Sequence, residues 1–347
     1  MFNFFKSKKI IYDTFIDLGT ANTLIYKKGM GILINEPSII AYDKRNKNTQ
    51  IAVGKSALNM QGKAPSFIEV KTPLANGMVH DIPLAQTLIK ELLKNNKNFL
   101  KDTLIQRRGI IISAPSDATK IEKSAFFEVA RSVGGGEILL VEEPLSAAVG
   151  AGLDVWTPEG KLVVDVGCGI TESVLISMGE TVNYKSYRKG GESCSQEIIQ
   201  YFRNQYDFLI SKETAEKLKQ QVSIQNLRKS IKSKIPGFSL RTKLPSTQEF
   251  DYLEIAKILL LFANQILNLI EETLENSPPE LVGDLYHTGI LLTGGGTLID
   301  GLCEYLQFKL HIPVIQSSEP LNGVVIGNLK ISEIQHLFPS LKALKDF

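Results

Sequence analysis

The stretch Leu162-Val163-Val164-Asp165-Val166-Gly167-Cys168-Gly169-Ile170-Thr171-Glu172-Ser173 carries the residues best suited to chemistry. Three apolar residues lead into an aspartate, two glycines follow, and a hydroxyl residue opens the next apolar run. A buried strand ending in Asp-x-Gly-x-Gly is a tight hairpin, whose glycines allow φ > 0 and leave backbone N–H groups uncovered. Uncovered N–H groups beside a carboxylate suit a phosphate with its divalent cation. A plain Gly-rich turn would use the same residues, so this stretch alone leaves both readings open.

An echo favours the phosphate. Thr14-Phe15-Ile16-Asp17-Leu18-Gly19-Thr20-Ala21-Asn22-Thr23 repeats the order strand, Asp, apolar residue, Gly, small and hydroxyl residues. The two copies lie roughly 150 residues apart, an interval that fits one domain repeated once. A third turn, Thr293-Gly294-Gly295-Gly296-Thr297, follows Gly289-Ile290-Leu291-Leu292 and precedes a helix-like segment. Three such turns could converge on one nucleotide.

The elements that must hold these turns read as alternating strands and helices, so an α/β chain is expected. Strands are predicted at Tyr12–Leu18, Thr23–Tyr26, Gly31–Ile34 and Ser38–Tyr42, then at residues 108–113, 138–141, 181–187 and 288–292. Helices are predicted from Leu84, over Ala118 to Val133, Leu145 to Gly152 and Ser195–Tyr206, from Ser211 or Thr214 as cap, and over 251–275 and 298–309. Gly54-Lys55-Ser56 is not a Walker motif, because Thr49 stands where its first glycine is required. The expected division is lobe I over 1–154, with a small insert at 35–80 and a returning tail at 326–347, and lobe II over 155–325, with a small subdomain at 190–250. Glu142-Glu143-Pro144 closes a strand and opens a helix. A carboxylate there can orient an attacking water or simply favour the helix dipole.

At 347 residues the chain can bury two cores of ordinary size. A net charge of +2 exerts no global pull on nucleic acid, which is not expected as a partner. Three scattered cysteines fit a reducing cytoplasm better than a disulfide framework, and the four histidines form no ligand-spaced cluster. The longest uncharged apolar-rich run, Ile258 to Ile270, is shorter than the about 20 residues of a membrane span, and no secretory signal is expected. Phe2, Phe4 and Phe5 beside Lys6, Lys8 and Lys9 could dip into an anionic lipid surface, or pack as a frayed terminus. Phe99-Leu100, an apolar pair in a polar loop, is open to the same two readings. Between Lys217 and Gln248 there are eight basic residues and no acidic one, as on a solvated basic face or a surface for an anionic partner.

Asp17 to Tyr26, Asn35-Glu36-Pro37-Ser38, Pro73-Leu74 through Gly77, Glu142-Glu143-Pro144, Thr214-Ala215-Glu216 through Lys219, Pro278-Pro279-Glu280-Leu281 and Leu292 through Gly296 together resemble the MreB family of bacterial actins. The likeness runs from about residue 12 to 335. It implies the duplicated actin-like, ribonuclease H-like fold with ATP in a cleft between two lobes. Thr20, Ala21 and Asn22, with Gly167, Cys168 and Gly169, would hold phosphates, and Asp17 and Asp165 would face Mg2+. Glu216, Lys217, Leu218 and Lys219, with Gly294, Gly295, Gly296 and Thr297, would bracket the nucleoside. Glu143 would orient the attacking water. The resemblance further implies head-to-tail, paired protofilaments on the inner face of the cell membrane, with Phe2, Phe4, Phe5, Phe99 and Leu100 as membrane contacts and other cytoskeletal or membrane proteins as further partners.

One departure stands out. The family's second hairpin reads Asp-Ile-Gly-Gly-Gly-Thr-Thr-Glu, whereas here Cys168 replaces the middle glycine and Ile170 the first threonine. That threonine would help hold the water opposite Glu143, so binding is expected to survive and hydrolysis to be slow. Two other classes share the fold. A sugar or acetate kinase would need an aspartate base for its substrate, and no motif supplies one. A chaperone ATPase would need a further substrate-binding domain, for which a chain ending at Phe347 leaves no expected room.

Overall fold

The computed structural model describes residues 11–46, 49–96, 109–134, 136–226 and 230–334. The chain divides into two units, one running up to Gly150 and again from Val324, the other Ala151–Gly323.

The first unit contains β1 (Tyr12–Leu18), β2 (Asn22–Lys27), β3 (Gly31–Pro37), β4 (Ile40–Asp43), β5 (Thr49–Val53), α1 (Gly54–Leu58), β6 (Ile68–Lys71), β7 (Leu74–Ala75), β8 (Met78–Val79), α2 (Ile82–Lys94), β9 (Gly109–Ala114), α3 (Lys120–Arg131), β10 (Ile138–Glu142) and α4 (Glu143–Ala151). Its main sheet has the order β10-β9-β1-β2-β3. β1, β2 and β3 form an antiparallel meander, and β9 and β10 are added in parallel. β9 is buried along its whole length, as expected of a strand covered on both faces. β4, β5 and β6 make a separate three-stranded sheet.

Helix α2 buries Leu84, Leu88, Ile89, Leu92 and Leu93, one apolar stripe, and Asp81 caps it by accepting from Leu84 N–H at 2.9 Å. The predicted start of the next helix needs moving. Ala118 lies before it, and Thr119 with Glu122 forms a capping box that begins α3 at Lys120. Gly54 and Lys55 do not open onto a phosphate: Lys55 N–H donates to a Glu36 carboxylate oxygen at 2.8 Å.

The second unit contains β11 (Lys161–Val166), β12 (Thr171–Ser177), β13 (Glu180–Tyr187), α5 (Gly191–Tyr206), β14 (Phe208–Leu209), α6 (Lys212–Gln221), β15 (Lys232–Ser239), β16 (Leu244–Asp251), α7 (Tyr252–Glu275), α8 (Pro279–Thr288), β17 (Ile290–Thr293), α9 (Leu302–Leu310) and β18 (Val314–Gln316). Its sheet order, β13-β12-β11-β17-β18, reproduces that of the first unit: an antiparallel meander extended by two parallel strands. The duplication suggested by two aspartate hairpins is therefore a duplication of topology. The sequence reads one helix over 298–309; the chain instead forms a short 3-10 turn at Gly295–Leu298 and restarts at α9.

By length and composition α7 could cross a membrane. Within this unit, however, it is the core helix, with Ile255, Leu259, Phe262, Ile266, Leu269 and Ile270 all buried. A last helix, α10 (Gly323–Ile334), returns to the first unit, where Asn328 donates to Ser113 Oγ at 2.7 Å and accepts from Ser146 Oγ at 2.8 Å.

Candidate functional site

One residue before the end of β11, Asp165 lies opposite Glu172 of β12 and beside Thr293 of β17. The hairpin is closed by Gly167 N–H donating to Ile170 C=O at 2.9 Å. Its other carbonyls point backwards: Gly191 N–H donates to Gly167 C=O, and Glu192 N–H to Cys168 C=O, both at 2.9 Å. Only glycine fits at position 190, because a Cβ there would lie 2.4 Å from the Gly167 oxygen. In a planar trans peptide the N–H points opposite to the C=O. Tying these two carbonyls to the start of α5 therefore aims the N–H groups of Cys168 and Gly169 away from α5, as an anion cradle requires.

Asp165 itself is buried, and burial alone pushes its carboxyl up to about 6. Gly294, at φ 85°, passes directly over it; a Cβ there would stand 2.2 Å from Asp165 Oδ1. Thr297 fastens this turn by donating its hydroxyl to Gly294 C=O at 2.7 Å, and Gly295 at its tip is exposed.

Of the four residues expected from α6, two reach the start of α5, which braces the hairpin. Lys219 Nζ donates to Gly191 C=O at 2.9 Å and pairs with Glu216 at 2.8 Å, and Glu216 also accepts from Ser195 of α5. Lys217 instead pairs with Glu213 on the exposed side of the helix, and Leu218 is buried in the unit's core. Helical spacing explains the split, since positions three apart share a face and the intervening ones do not. The Cys168 thiol is pushed up to about 11, first by burial and then by the Glu192 carboxylate, so it is a neutral group rather than a thiolate. Ile170 is buried, and the hydroxyl of Thr171 is committed to Lys189 C=O at 2.9 Å.

The first unit builds its hairpin in the same way. β1 carries Asp17 to the turn, and Gly19 N–H donates to Asn22 C=O at 3.0 Å. Ser38 takes the part that α5 plays in the other unit, with its Oγ on Gly19 C=O at 2.7 Å and its N–H on Ala21 C=O at 2.9 Å. The N–H groups of Thr20 and Asn22 consequently point away from Ser38. Thr20 Oγ1 accepts from Gly77 N–H at 3.0 Å. The segments Asn35–Ser38 and Pro73–Gly77 thus buttress the hairpin, a role their sequence did not announce. Glu142 forms an ion pair with Lys123 of α3 at 3.7 Å, whereas Glu143 is the first residue of α4. Phe2, Phe4, Phe5, Phe99 and Leu100 lie outside the described residues.

Two topologically equivalent units, each with an aspartate and a backbone cradle at the end of its central strand, define the actin-like fold. Over 92% of this chain and 98% of the other, the structure superposes on the MamK double helical filament with a TM-score of 0.76 at 21% identity. It superposes on the crystal structure of MreB 5 of Spiroplasma citri bound to AMPPNP with a TM-score of 0.86 at 33% identity, over 94% of this chain and 97% of that one. The sequence is 36% identical to the cell shape-determining protein Mbl of Bacillus subtilis (strain 168) over 316 residues, 91% of this chain and 94% of the relative. The family model of the MreB/Mbl protein matches residues 12–338. The chain belongs to the MreB/Mbl family.

Proposed function

We propose that the chain is an ATP-binding cytoskeletal protein that assembles into membrane-associated filaments on the cytoplasmic face of the cell membrane. These filaments would govern cell shape or motility, with slow ATP hydrolysis. The relatives' name as cell shape-determining proteins supports the cellular role, and the AMPPNP and ADP complexes of MreB 5 support the nucleotide. The observation that carries the reading is Asp165, a buried carboxylate whose charge burial disfavours, lying against a glycine turn and next to a backbone cradle. Such a group is suited to a cation that arrives with an anion.

Mg2+ fits this donor set, because it is bound through one or two carboxylates plus waters and phosphate oxygens rather than by an all-protein cage. When bound, it would neutralise phosphate charge. Asp165 and Asp17 would face it, and the N–H groups of Thr20, Asn22, Cys168 and Gly169 would hold phosphate oxygens. Gly294 to Gly296 with Glu216 and Lys219 would border the nucleoside, Lys217 and Leu218 standing apart. Glu143 would orient the attacking water. Titration calorimetry with Mg-ATP, followed by sedimentation and electron microscopy of the pellet, tests the reading. Absence of ATP binding, or a chain that never pellets, refutes the corresponding half of it.

A further inference from the structure

No loop separates Glu143 from the sheet. β10 ends at Glu142 and α4 begins at the next residue, so the strand sets where the Glu143 backbone lies. The direction of its side chain depends instead on how α4 is turned about its axis. Apolar burial does not decide that turn. Pro144, Leu145, Ser146, Ala147, Ala148 and Val149 are buried in succession, on every side of the helix, and most of them are small. A helix buried all round has no amphipathic face to prefer one orientation. Directional hydrogen bonds are left to choose it.

Those bonds come from α10. Asn328 is fully buried between two hydroxyls, accepting from Ser146 Oγ at 2.8 Å and donating to Ser113 Oγ of β9 at 2.7 Å. Ser146 lies three residues after Glu143, on the same side of α4. The Asn328 bridge therefore ties the first turn of α4 to the sheet. At the other end, Lys330 Nζ donates to Val149 C=O at 3.1 Å and to Gly150 C=O at 2.9 Å. These are two of the last carbonyls, which a helix cannot satisfy by itself, and a cation there also suits the helix dipole.

Backbone packing joins the two ties. A Cβ on Gly327 would stand 1.7 Å from the Ser146 oxygen and 3.0 Å from Gly150 N, so the two helices cross in direct contact. α4 can neither roll nor slide without moving α10. Glu333, also on α10, has its partner outside α4: it pairs with Lys28 at 2.9 Å, with both side chains about half exposed. Such a pair contributes little.

We propose that Asn328 and Lys330 are positioning residues for Glu143: α10 clamps both ends of α4 and so fixes the direction in which the carboxylate points. The proposal rests on the reading that Glu143 orients the attacking water, and it adds the residues that hold Glu143 to that task. Neither would touch the water. Their effect falls on the rate, since misplacing a reacting group by about 1 Å can cost roughly 100-fold. Nucleotide affinity is spared, because the backbone cradles do not depend on the roll of α4.

The test follows phosphate release at saturating Mg-ATP, ATP affinity by calorimetry and the pelleted fraction, all on the full chain. Lys330→Met keeps the aliphatic stem and removes the donor at an exposed position, where folding tolerates the change. It should slow release roughly tenfold and leave Kd within about twofold. Lys330→Arg, which still donates, should release at the parent's rate, and so should Glu333→Gln on the same helix. Ser146→Ala removes the front tie and should slow release by a similar factor; if it fails to fold, the two Lys330 variants decide. Added to Glu143→Ala, Lys330→Met should slow release no further, because its effect runs through that carboxylate.

A merely structural role gives a different pattern for Lys330→Met, a lower melting temperature at an unchanged rate, and that result overturns the proposal. So does an equal loss in the Glu143→Ala background, a matching loss of ATP affinity, or a rate that falls only in proportion to the pelleted fraction. A Lys330→Arg variant as slow as Lys330→Met counts against it in the same way. If Glu143→Ala leaves the parent's release unchanged, the water-orienting reading itself fails and takes the proposal with it.

Discussion

Asp165→Asn should make the nucleotide-free protein more stable while destroying its use of Mg-ATP. Burial moves this carboxyl from 3.8 to about 6. At about 1.4 kcal/mol per pH unit, that displacement corresponds to roughly 3 kcal/mol. The sign follows from proton uptake. Between pH 4 and 6 the folded state holds a proton that the unfolded state has released, so stability falls as pH rises and the loss is complete above about pH 7. Asparagine is isosteric, respects the close approach of Gly294 and carries no charge. At pH 7.5 the variant should therefore melt higher than the parent, by roughly 6–12 °C at about 2–4 °C per kcal/mol. Near pH 5, where the parent's carboxyl is mostly protonated, the difference should shrink. Mg-ATP at about 1,000 times its Kd should reverse the order, because it then stabilises the parent by about 4.1 kcal/mol. Thermal denaturation of both proteins across this pH range, with and without nucleotide, decides the matter. A variant no more stable at pH 7.5, or one whose gain is the same at pH 5, would refute the argument from burial.

Gly295→Arg should fold, since a Cβ there meets only the flexible end of Leu321 at 3.1 Å, yet lose at least roughly tenfold in ATP affinity by calorimetry. Unchanged affinity would remove the 294–296 turn from the site. Ile170→Thr should speed phosphate release, because one missing hydrogen bond to a catalytic water costs on the order of 2–4 kcal/mol of barrier, roughly 30- to 1000-fold. Adding Glu143→Ala should cancel the gain, and a release rate indifferent to Ile170→Thr would sink the idea. Deleting residues 1–9 should sharply reduce pelleting with anionic liposomes. Equal pelleting with purely zwitterionic lipid would count against Lys6, Lys8 and Lys9.

Much of this molecule was legible before folding was considered. Asp17-x-Gly19 and Asp165-x-Gly167 after apolar runs gave away two hairpins, because only a few residue types permit so tight a turn. Their spacing gave the duplication. The apolar stripe of α7 was visible for the same local reason, as was the departure at Ile170, a difference of residue type at a matched position.

Contacts between distant parts of the chain were a different matter. That Ser38 and Gly77 brace one hairpin and Gly191-Glu192 the other follows from segments brought together by the sheet. Glu216 and Lys219 separate from Lys217 and Leu218 only once α6 has chosen which face to lay on α5. Thr171, next to Ile170, spends its hydroxyl on Lys189 C=O. Burial that pushes Asp165 to about 6 has no signature in its own stretch. Local sequence fixes backbone conformation through steric and hydrogen-bonding rules that act over a few residues. Desolvation and the direction of a side chain depend on what the rest of the chain places around it, and only the tertiary structure determines that.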